Sequence, residues 1–389
     1  MSQRTDESAE PAITEGRLYL TAPRAETRQI LLEVLGVLEL PVDEPHAGIV
    51  RVGVSAGSLA QIGELILERL APQEIRSVRC RVFPDSIEPT LSDLMQAESL
   101  DALIDRVQAE WLVELIRSSR LTTFFQPIVR STEPSNIVAY ECLLRGKHTD
   151  GSIIPPDRMF RAARSSGLLY HLDRTARLTA IKTASACRLR GDVFINFNPT
   201  SIYDPVHCLQ STIQAIAESG IPLERYVFEV VESDEIRDTS RLLKIIDYYR
   251  EAGLRVALDD VGAGYSSLTL LTRLKPDFIK LDMDLIRNVD SDRYKGQVAS
   301  KLLELARELH VGTVVEGVET IGEWQWAVEH GADLAQGFLF AGPQPWIALQ
   351  THQGTTVVPD ELLSTAAGMA AAAAGSLESM TSPCTTPLP

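Results

Sequence analysis

The chain has 389 residues, 44% of them hydrophobic, and a formal net charge of −16. This length and composition predict a globular protein with one large domain and a smaller one. The negative charge argues against nonspecific nucleic-acid binding, which needs a basic surface to displace counterions from phosphates, so we expect no DNA partner.

Membrane insertion and secretion are also not expected. No apolar run reaches the roughly 18 residues that a membrane-spanning helix needs, and the N-terminal MSQRTDESAE is polar and acidic, unlike a signal peptide. We therefore predict no membrane span and a cytoplasmic location. The five cysteines are scattered and form no C-x-x-C pair, which favours reduced thiols over a disulfide framework or a zinc site.

The N-terminal part of the chain predicts a small domain. Residues 1–14 are polar and are predicted to be disordered. Residues 15–85 have the pattern strand, helix, strand, helix, strand in the segments GRLYLTA, ETRQILLEVLGVL, GIVRVGVS, LAQIGELILERL and SVRCRVF. This small α/β module has an unknown role, regulatory or otherwise, and an unknown signal or protein partner. Residues 86–121 predict one or two amphipathic helices, which fit a signalling linker and a plain connector equally well.

Residues 122–350 predict a barrel. Short apolar strands alternate there with helical stretches, in the order TFFQPIV, IVAYECLLR, VFINFNP, YVFEVVES, RVALDDV, FIKLDMD, TVVEGVE and ADLAQGFLF. Their continuous hydrophobic character implies a sheet buried on both faces, and eight such strands predict an α/β fold of the TIM-like (β/α)8 type. The RSTEPSN segment is too short for a crossover helix, so one strand should be antiparallel. Residues 359–389 predict a low-complexity tail.

Polar residues interrupt seven of these apolar strands at or near their ends. They are Glu141, Asn196, Glu229, Asp259, Lys280, Glu316 and Gln336. A barrel brings such positions together at the C-terminal ends of its strands. A buried salt bridge, or a strand end that reaches solvent, could explain any one of them. Because an unpaired charge inside a strand is costly, the whole ring indicates a functional site.

The ring predicts a site for divalent cations. Clustered carboxylates repel one another unless cations bind between them, and oxygen ligands suit Mg²⁺ or Mn²⁺. Four residues could hold one ion: Glu141, Asn196, Glu229 and Asp259. A second ion could share Asp259 and bind Asp260 and Glu316. Two such cations would clamp a phosphodiester and activate a water, whereas zinc fits poorly because the ring lacks histidine.

The motifs of the barrel resemble those of a known family. The naming motif, usually E-A-L-L-R, is ECLLR at 141–145, and INFNP, FEVVES, LDDVGAGYSSL, PDFIKLD, VVEGVET and QGFLFAGP follow in the family's order. The barrel is therefore identified as similar to the EAL-domain cyclic di-GMP phosphodiesterases. The resemblance implies hydrolysis of cyclic di-GMP to linear pGpG in bacterial signalling, two Mg²⁺ or Mn²⁺ ions, and a homodimer formed through the barrel.

The resemblance also implies roles for single residues. Lys280 would orient the attacking water, and Glu316 would bind the second ion and influence the proton of that water. Gln126 and Arg145 would contact the substrate, the arginine through its fork of donors to phosphate oxygens. Gln336 would line the substrate pocket.

Three further carboxylates each allow two interpretations. Glu232 matches a family glutamate that holds the loop after the aspartate pair, but it is equally well a solvated charge at a strand end. Asp282 shares a strand face with Lys280, so it either pairs with that lysine or supports the metal ligands. Glu319 follows Glu316 by three residues and could support the site or stabilise a helix N-terminus.

Three functions remain open from the sequence. The favoured one is an active, metal-dependent phosphodiesterase, because the ring of ligands is complete. The second is a catalytically silent cyclic di-GMP receptor of the same fold that signals through its N-terminal module. The third is an unrelated barrel enzyme that uses Mg²⁺ and a lysine base, against which the arginine of ECLLR and the order of the motifs argue.

Overall fold

A computed structural model describes residues 15–351, apart from residues 47 and 91 and the ranges 94–95, 203–204, 232–238 and 264–266. The predicted disordered N-terminus and low-complexity tail lie outside the described residues. By their contacts, the described residues form two units, one of 15–119 with 157–169 and the other of 120–156 with 170–351.

The first unit is a sheet with helices on one face. Its elements are β1 (Gly16–Thr21), α1 (Ala25–Val37), β2 (Val42–His46), β3 (Ile49–Val54), α2 (Ala56–Arg69), α3 (Pro72–Ser77), β4 (Arg79–Phe83), β5 (Glu98–Ser99), α4 (Leu100–Arg117) and most of α5 (Pro156–Ser165). The strand order β2-β3-β1-β4-β5 is antiparallel and gives the first four strands the βαββαβ connectivity of ferredoxin-like folds. The sequence did not predict β2, because VDEPH contains a proline and lacks apolar alternation.

The core of the first unit also includes the helices that follow the sheet in sequence. Helix α4, which occupies the segment predicted to join the two domains, buries Leu103 and Val107 against the strands and α2. Helix α5 packs in the same unit, where the Arg158 guanidinium lies 5.1 Å from the centre of the Trp111 ring. The small module therefore extends beyond residue 85 in this structure and includes a helix that comes after two strands of the barrel.

The second unit is the barrel. Its elements are β6 (Leu121–Arg130), β7 (Glu133–Lys147), β8 (Ile153–Ile154), α6 (Leu169–Ala186), β9 (Asp192–Phe197), α7 (Pro205–Ser219), β10 (Tyr226–Val231), α8 (Thr239–Glu251), β11 (Arg255–Val261), α9 (Ser267–Leu274), β12 (Phe278–Leu281), α10 (Met283–Ile286), α11 (Arg293–Glu308), β13 (Gly312–Val315), α12 (Ile321–Glu329), β14 (Leu334–Ala335) and α13 (Trp346–Thr351). Short 3-10 turns follow β9 and precede β10.

The predicted eight-stranded barrel is confirmed. Strands β7 and β9 to β14 run parallel to one another, and β6 closes the barrel by pairing antiparallel with both β7 and β14. The short strand β8 is added to the edge of β7. None of the helices in the described ranges is both long enough and apolar enough to cross a bilayer.

An apolar layer inside the barrel lies below the predicted site. Its residues each precede one member of the polar ring by two positions: Ala139, Phe194, Val227, Ala257, Phe278, Val314 and Leu334. Because side chains two apart on a strand point to the same side, both sets face the barrel interior. The polar ring is thus the next interior layer toward the C-terminal ends of the strands, where barrel enzymes place their active sites.

Candidate active site

The seven polar residues predicted from the strand ends are gathered in one place. Glu141, Asn196, Glu229, Asp259 and Lys280 lie within strands β7 and β9 to β12. Glu316 and Gln336 directly follow β13 and β14. The pairing register also places Asn196 beside Glu229 across β9 and β10. The barrel topology therefore converts seven positions far apart in sequence into one polar site.

Lys280 is the cation at the centre of this site. Its side chain is buried, and Nζ lies 2.6 Å from Glu229 Oε1 and 2.7 Å from Glu316 Oε1. Nζ is also 3.2 Å from Asp259 Oδ1 and 3.8 Å from Glu141 Oε2. Burial alone would lower the pKa of this lysine, but the four carboxylates raise it well above its ordinary value, so Lys280 is charged.

Two side-chain amides fix the carboxylate of Glu141. Asn196 Nδ2 donates to Glu141 Oε1 at 2.8 Å, and Gln336 Nε2 donates to Glu141 Oε2 at 2.7 Å. Burial raises the pKa of Glu141, but Lys280 and these two hydrogen bonds outweigh burial and lower the pKa below its ordinary value. Glu141 is therefore held as an oriented anion. The sequence had assigned Asn196 to a metal and Gln336 to the substrate pocket, and the bond to Glu141 is a further contact for both.

Two other carboxylates are less easily ionised. Burial is the main cause that raises the pKa of Glu229 and of Glu316 well above the ordinary value, and neighbouring carboxylates add to it. Contact with Lys280 opposes this rise in both cases. The site thus holds more carboxyl groups than a single ammonium group can keep ionised.

The aspartate pair forms a second part of the site. Oxygen atoms of Asp259, Asp260 and Glu316 all lie within 4.8 Å of one another. Asp260 has a left-handed backbone, with φ at 55°, and its N–H donates to Asp259 Oδ1 at 3.0 Å. Burial, followed by the charges of Asp259 and Asp282, raises the pKa of Asp260 to about 6. These three residues are the ones that the sequence assigned to the second cation.

The donor set fits divalent cations. Glu229 Oε2 is buried and accepts no hydrogen bond from any described residue, which leaves an oxygen available as a ligand. The ring offers carboxylate and amide oxygens, which Mg²⁺ and Mn²⁺ prefer, and several anions that a cation would neutralise. The two predicted ligand groups would share Asp259, which belongs to both.

The two other predicted substrate contacts lie on the neighbouring antiparallel pair. Gln126 is opposite Glu141 in the register of β6 and β7, and its Nε2 donates to the carbonyl oxygen of Ala341 at 3.2 Å. Arg145 is four residues after Glu141 on β7, on the same side of the strand by the two-residue period. Its guanidinium lies 5.4 Å from the centre of the Phe124 ring. Substrate contact by either residue stays a prediction.

The structure places two of the three remaining carboxylates. In the described part of the chain, Asp282 is not among the carboxylates that pair with Lys280, and its Oδ1 instead accepts from the Asp284 N–H at 2.8 Å at the start of α10. Glu319 pairs with Arg287 at 2.5 Å. Glu232 lies outside the described residues. Any support that these residues give to the metal ligands stays a prediction.

A buried ion pair beside the turn after β9 was not predicted. Asp173 and Arg177 of α6 are both buried and form an ion pair one helical turn apart. Asp173 Oδ1 accepts from the Asn198 N–H at 2.9 Å. Asp173 Oδ2, which pairs with Arg177, also accepts from the Ser201 hydroxyl at 2.9 Å. Asp173 thus holds the turn that follows Asn196. The only signal in the sequence was an aspartate four residues before an arginine in HLDRTAR, a spacing that is also common on exposed helices.

Comparison with known proteins places the second unit in a family. Residues 109–343 match the family model described as EAL domain. Over 250 residues the chain is 29% identical to a Pseudomonas aeruginosa protein named Cyclic di-GMP phosphodiesterase NbdA, covering 62% of this chain and 31% of that protein. It is 28% identical over 244 residues to an Escherichia coli protein named Cyclic di-GMP phosphodiesterase PdeR, covering 61% of this chain and 36% of that protein.

A solved structure is similar over the same region. It is that of a standalone EAL protein from Vibrio cholerae O395 in a form bound to c-di-GMP, with 32% sequence identity and a TM-score of 0.53. The similarity covers 58% of this chain and 93% of that one. By contrast, the chain spans about a third of the length of the two curated relatives.

Proposed function

The chain belongs to the EAL domain family, and from this premise we propose that it hydrolyses cyclic di-GMP to linear pGpG. The observation that carries the proposal is the convergence of four carboxylates, from Glu141, Glu229, Asp259 and Glu316, on Lys280 at the C-terminal end of the barrel. A site with this surplus of buried carboxylates is suited to two divalent cations and a phosphodiester, as predicted from the sequence.

Each residue of the site would have a separate role in the proposed reaction. Divalent cations, when bound, would offset the phosphate charge and activate a water. Glu229 and Asp259 would hold them together with Glu141, whose carboxylate is oriented by two amides. Lys280 would position the attacking water, because its ammonium group lies between the carboxylates of both predicted ion sites.

The remaining residues would complete the reaction and bind the substrate. Glu316 would complete the second ion site with Asp260 and would influence the proton of the attacking water. In-line attack would expel the ribose 3′ oxygen and open one phosphodiester of the ring. Arg145 would contact the phosphate through its guanidinium fork, and Gln126 would contact the substrate beside it. The homodimer implied by the sequence motifs stays a prediction that sedimentation velocity would test.

The test is turnover of cyclic di-GMP by the full chain with Mg²⁺ or Mn²⁺, read as pGpG formed over time. We expect pGpG from the wild type and none from Glu141→Ala, which should stay folded because it removes one of several crowded carboxylates. Glu133→Ala is the matched control, because Glu133 begins the same strand and is exposed. It should retain wild-type turnover.

The receptor alternative gives a different result in the same experiment. A silent receptor of this fold would bind cyclic di-GMP in a calorimeter but form no pGpG with either cation. Wild-type rates from Glu141→Ala would contradict the assigned site, and absence of both binding and turnover in the wild type would contradict the substrate.

A further inference from the structure

The sheet of the first unit carries concentrated positive charge on the face away from its core. Leu18 and Leu20 of β1 point into the core, so the residues that alternate with them point to the other face. Four arginines of three strands lie on that face: Arg17, Arg51, Arg79 and Arg81. In the register of the sheet, Tyr19 stands between Arg51 and Arg81. This is a local basic surface in a chain whose net charge is −16.

The carboxylate of Glu88, from the same unit, lies in the middle of this surface. Glu88, in the segment after β4, accepts at Oε1 from Arg17 Nη1 at 2.7 Å and from Arg51 Nη1 at 3.3 Å. Its Oε2 accepts from the Tyr19 hydroxyl at 3.3 Å. Asp43 binds the other side of the same guanidinium, where Arg51 Nε donates to Asp43 Oδ1 at 2.8 Å. Three donors on two strands therefore converge on one anion. Both arginines are also held by a second carboxylate, since Arg17 Nε lies 3.3 Å from Asp85 Oδ1.

Glu88 is nevertheless weakly held. Its side chain is 70% exposed, and exposed ion pairs contribute little to stability because water and salt screen them. Among the described residues, Arg79 and Arg81 form no ion pair, so the surface keeps positive charge that Glu88, Asp43 and Asp85 do not neutralise. A ligand with more charge than a carboxylate could displace Glu88 at small cost.

We propose that this face binds the phosphate group of a small molecule and that Glu88 occupies the phosphate position when the ligand is absent. Guanidinium forks and a tyrosine hydroxyl are donors that match phosphate oxygens. A nucleic acid fits less well, because the chain is strongly acidic and because Tyr19 and Phe83 are only 3% and 7% exposed, which leaves no ring for bases to stack on. The residues of this site precede the stretch that matches the EAL domain, which begins at residue 109, and the proposal does not depend on the proposed hydrolysis.

The first arm of the test measures binding of inorganic pyrophosphate to the full chain by calorimetry. The buffer contains EDTA, so that divalent cations cannot carry pyrophosphate into the barrel. We expect Glu88→Gln to bind pyrophosphate about fivefold more tightly than the wild type, because the competing carboxylate is gone; this corresponds to about 1 kcal/mol. Glu44→Gln makes the same charge change at an exposed pair with Arg28 and should leave the affinity unchanged.

The second arm maps the site. Arg51→Gln should weaken pyrophosphate binding about tenfold, since it removes a charged donor. If its circular dichroism indicates misfolding, Arg17→Gln gives the same readout from the neighbouring strand. Equal affinity of Glu88→Gln and the wild type, unchanged binding by the arginine variants, or no binding at all would each overturn the proposal. Tighter binding of a ten-nucleotide single strand than of pyrophosphate would overturn the assignment to a small molecule.

Discussion

Replacement of Lys280 by methionine should make the stability of the barrel depend on divalent cations. Lys280 Nζ is the positive charge that four carboxylates share, at distances from 2.6 to 3.8 Å, and its side chain is 1% exposed. Removal of one partner from a buried charge pair costs about 3–5 kcal/mol, because the remaining charges are left without compensation. Methionine fills a similar volume, so the loss of charge dominates over a cavity.

The expected size of the effect follows from these numbers. For a unit of this size, a loss of 1 kcal/mol lowers the melting temperature by about 2–4 °C, so Lys280→Met in EDTA should melt about 6–20 °C below the wild type. Divalent cations would bind only the folded site and would replace the missing charge, which would add about 2.7 kcal/mol at a hundredfold excess over the dissociation constant. Mg²⁺ or Mn²⁺ should therefore raise the melting temperature of Lys280→Met more than that of the wild type.

The assay is thermal unfolding followed by tryptophan fluorescence. Three of the four tryptophans, Trp324, Trp326 and Trp346, lie in the second unit and report on the barrel. The matched control is Lys301→Met, since Lys301 pairs with Glu304 on the surface and is 71% exposed, so its loss should leave the melting temperature close to that of the wild type. Two outcomes would contradict the role of Lys280: an equal melting temperature of Lys280→Met and the wild type in EDTA, or an equal cation-induced shift in both lysine variants.

Two further substitutions test the supports of the site. In urea titrations, Asp173→Ala should lower the free energy of unfolding by about 3–5 kcal/mol, because it leaves the buried Arg177 without its ion-pair partner. The double change Asp173→Leu with Arg177→Met should recover most of that loss. An effect of Asp173→Ala below about 1 kcal/mol would contradict the importance of the pair. Gly337→Ala should lower the free energy of unfolding by about 3 kcal/mol and reduce pGpG formation, because a Cβ there would lie 2.0 Å from the carbonyl oxygen of Val318 and would displace Gln336. Gly342→Ala is the control and should be tolerated, because its Cβ would meet only the Phe338 ring at 3.4 Å. Equal stability of the two alanine variants would count against this prediction.

The sequence by itself determined the barrel and the ring of polar residues at the ends of its strands. Buried parallel strands require apolar runs on both faces, so a polar residue at the end of each run was visible without any three-dimensional information. The same period of two residues placed the apolar layer beneath the ring, as at Val227 below Glu229. Local pattern was sufficient here because burial acts on every strand separately.

The tertiary structure alone decided which of these residues touch. That Lys280 contacts four carboxylates, and that Asn196 and Gln336 both hold Glu141, depends on distances across the barrel between strands that are far apart in sequence. Local pattern was also insufficient in the first unit. Its edge strand β2 lacks an apolar pattern, and its helix α5 comes after the first strands of the barrel in sequence. Side-chain contacts across a closed sheet follow from pairing register and closure, which no local pattern encodes.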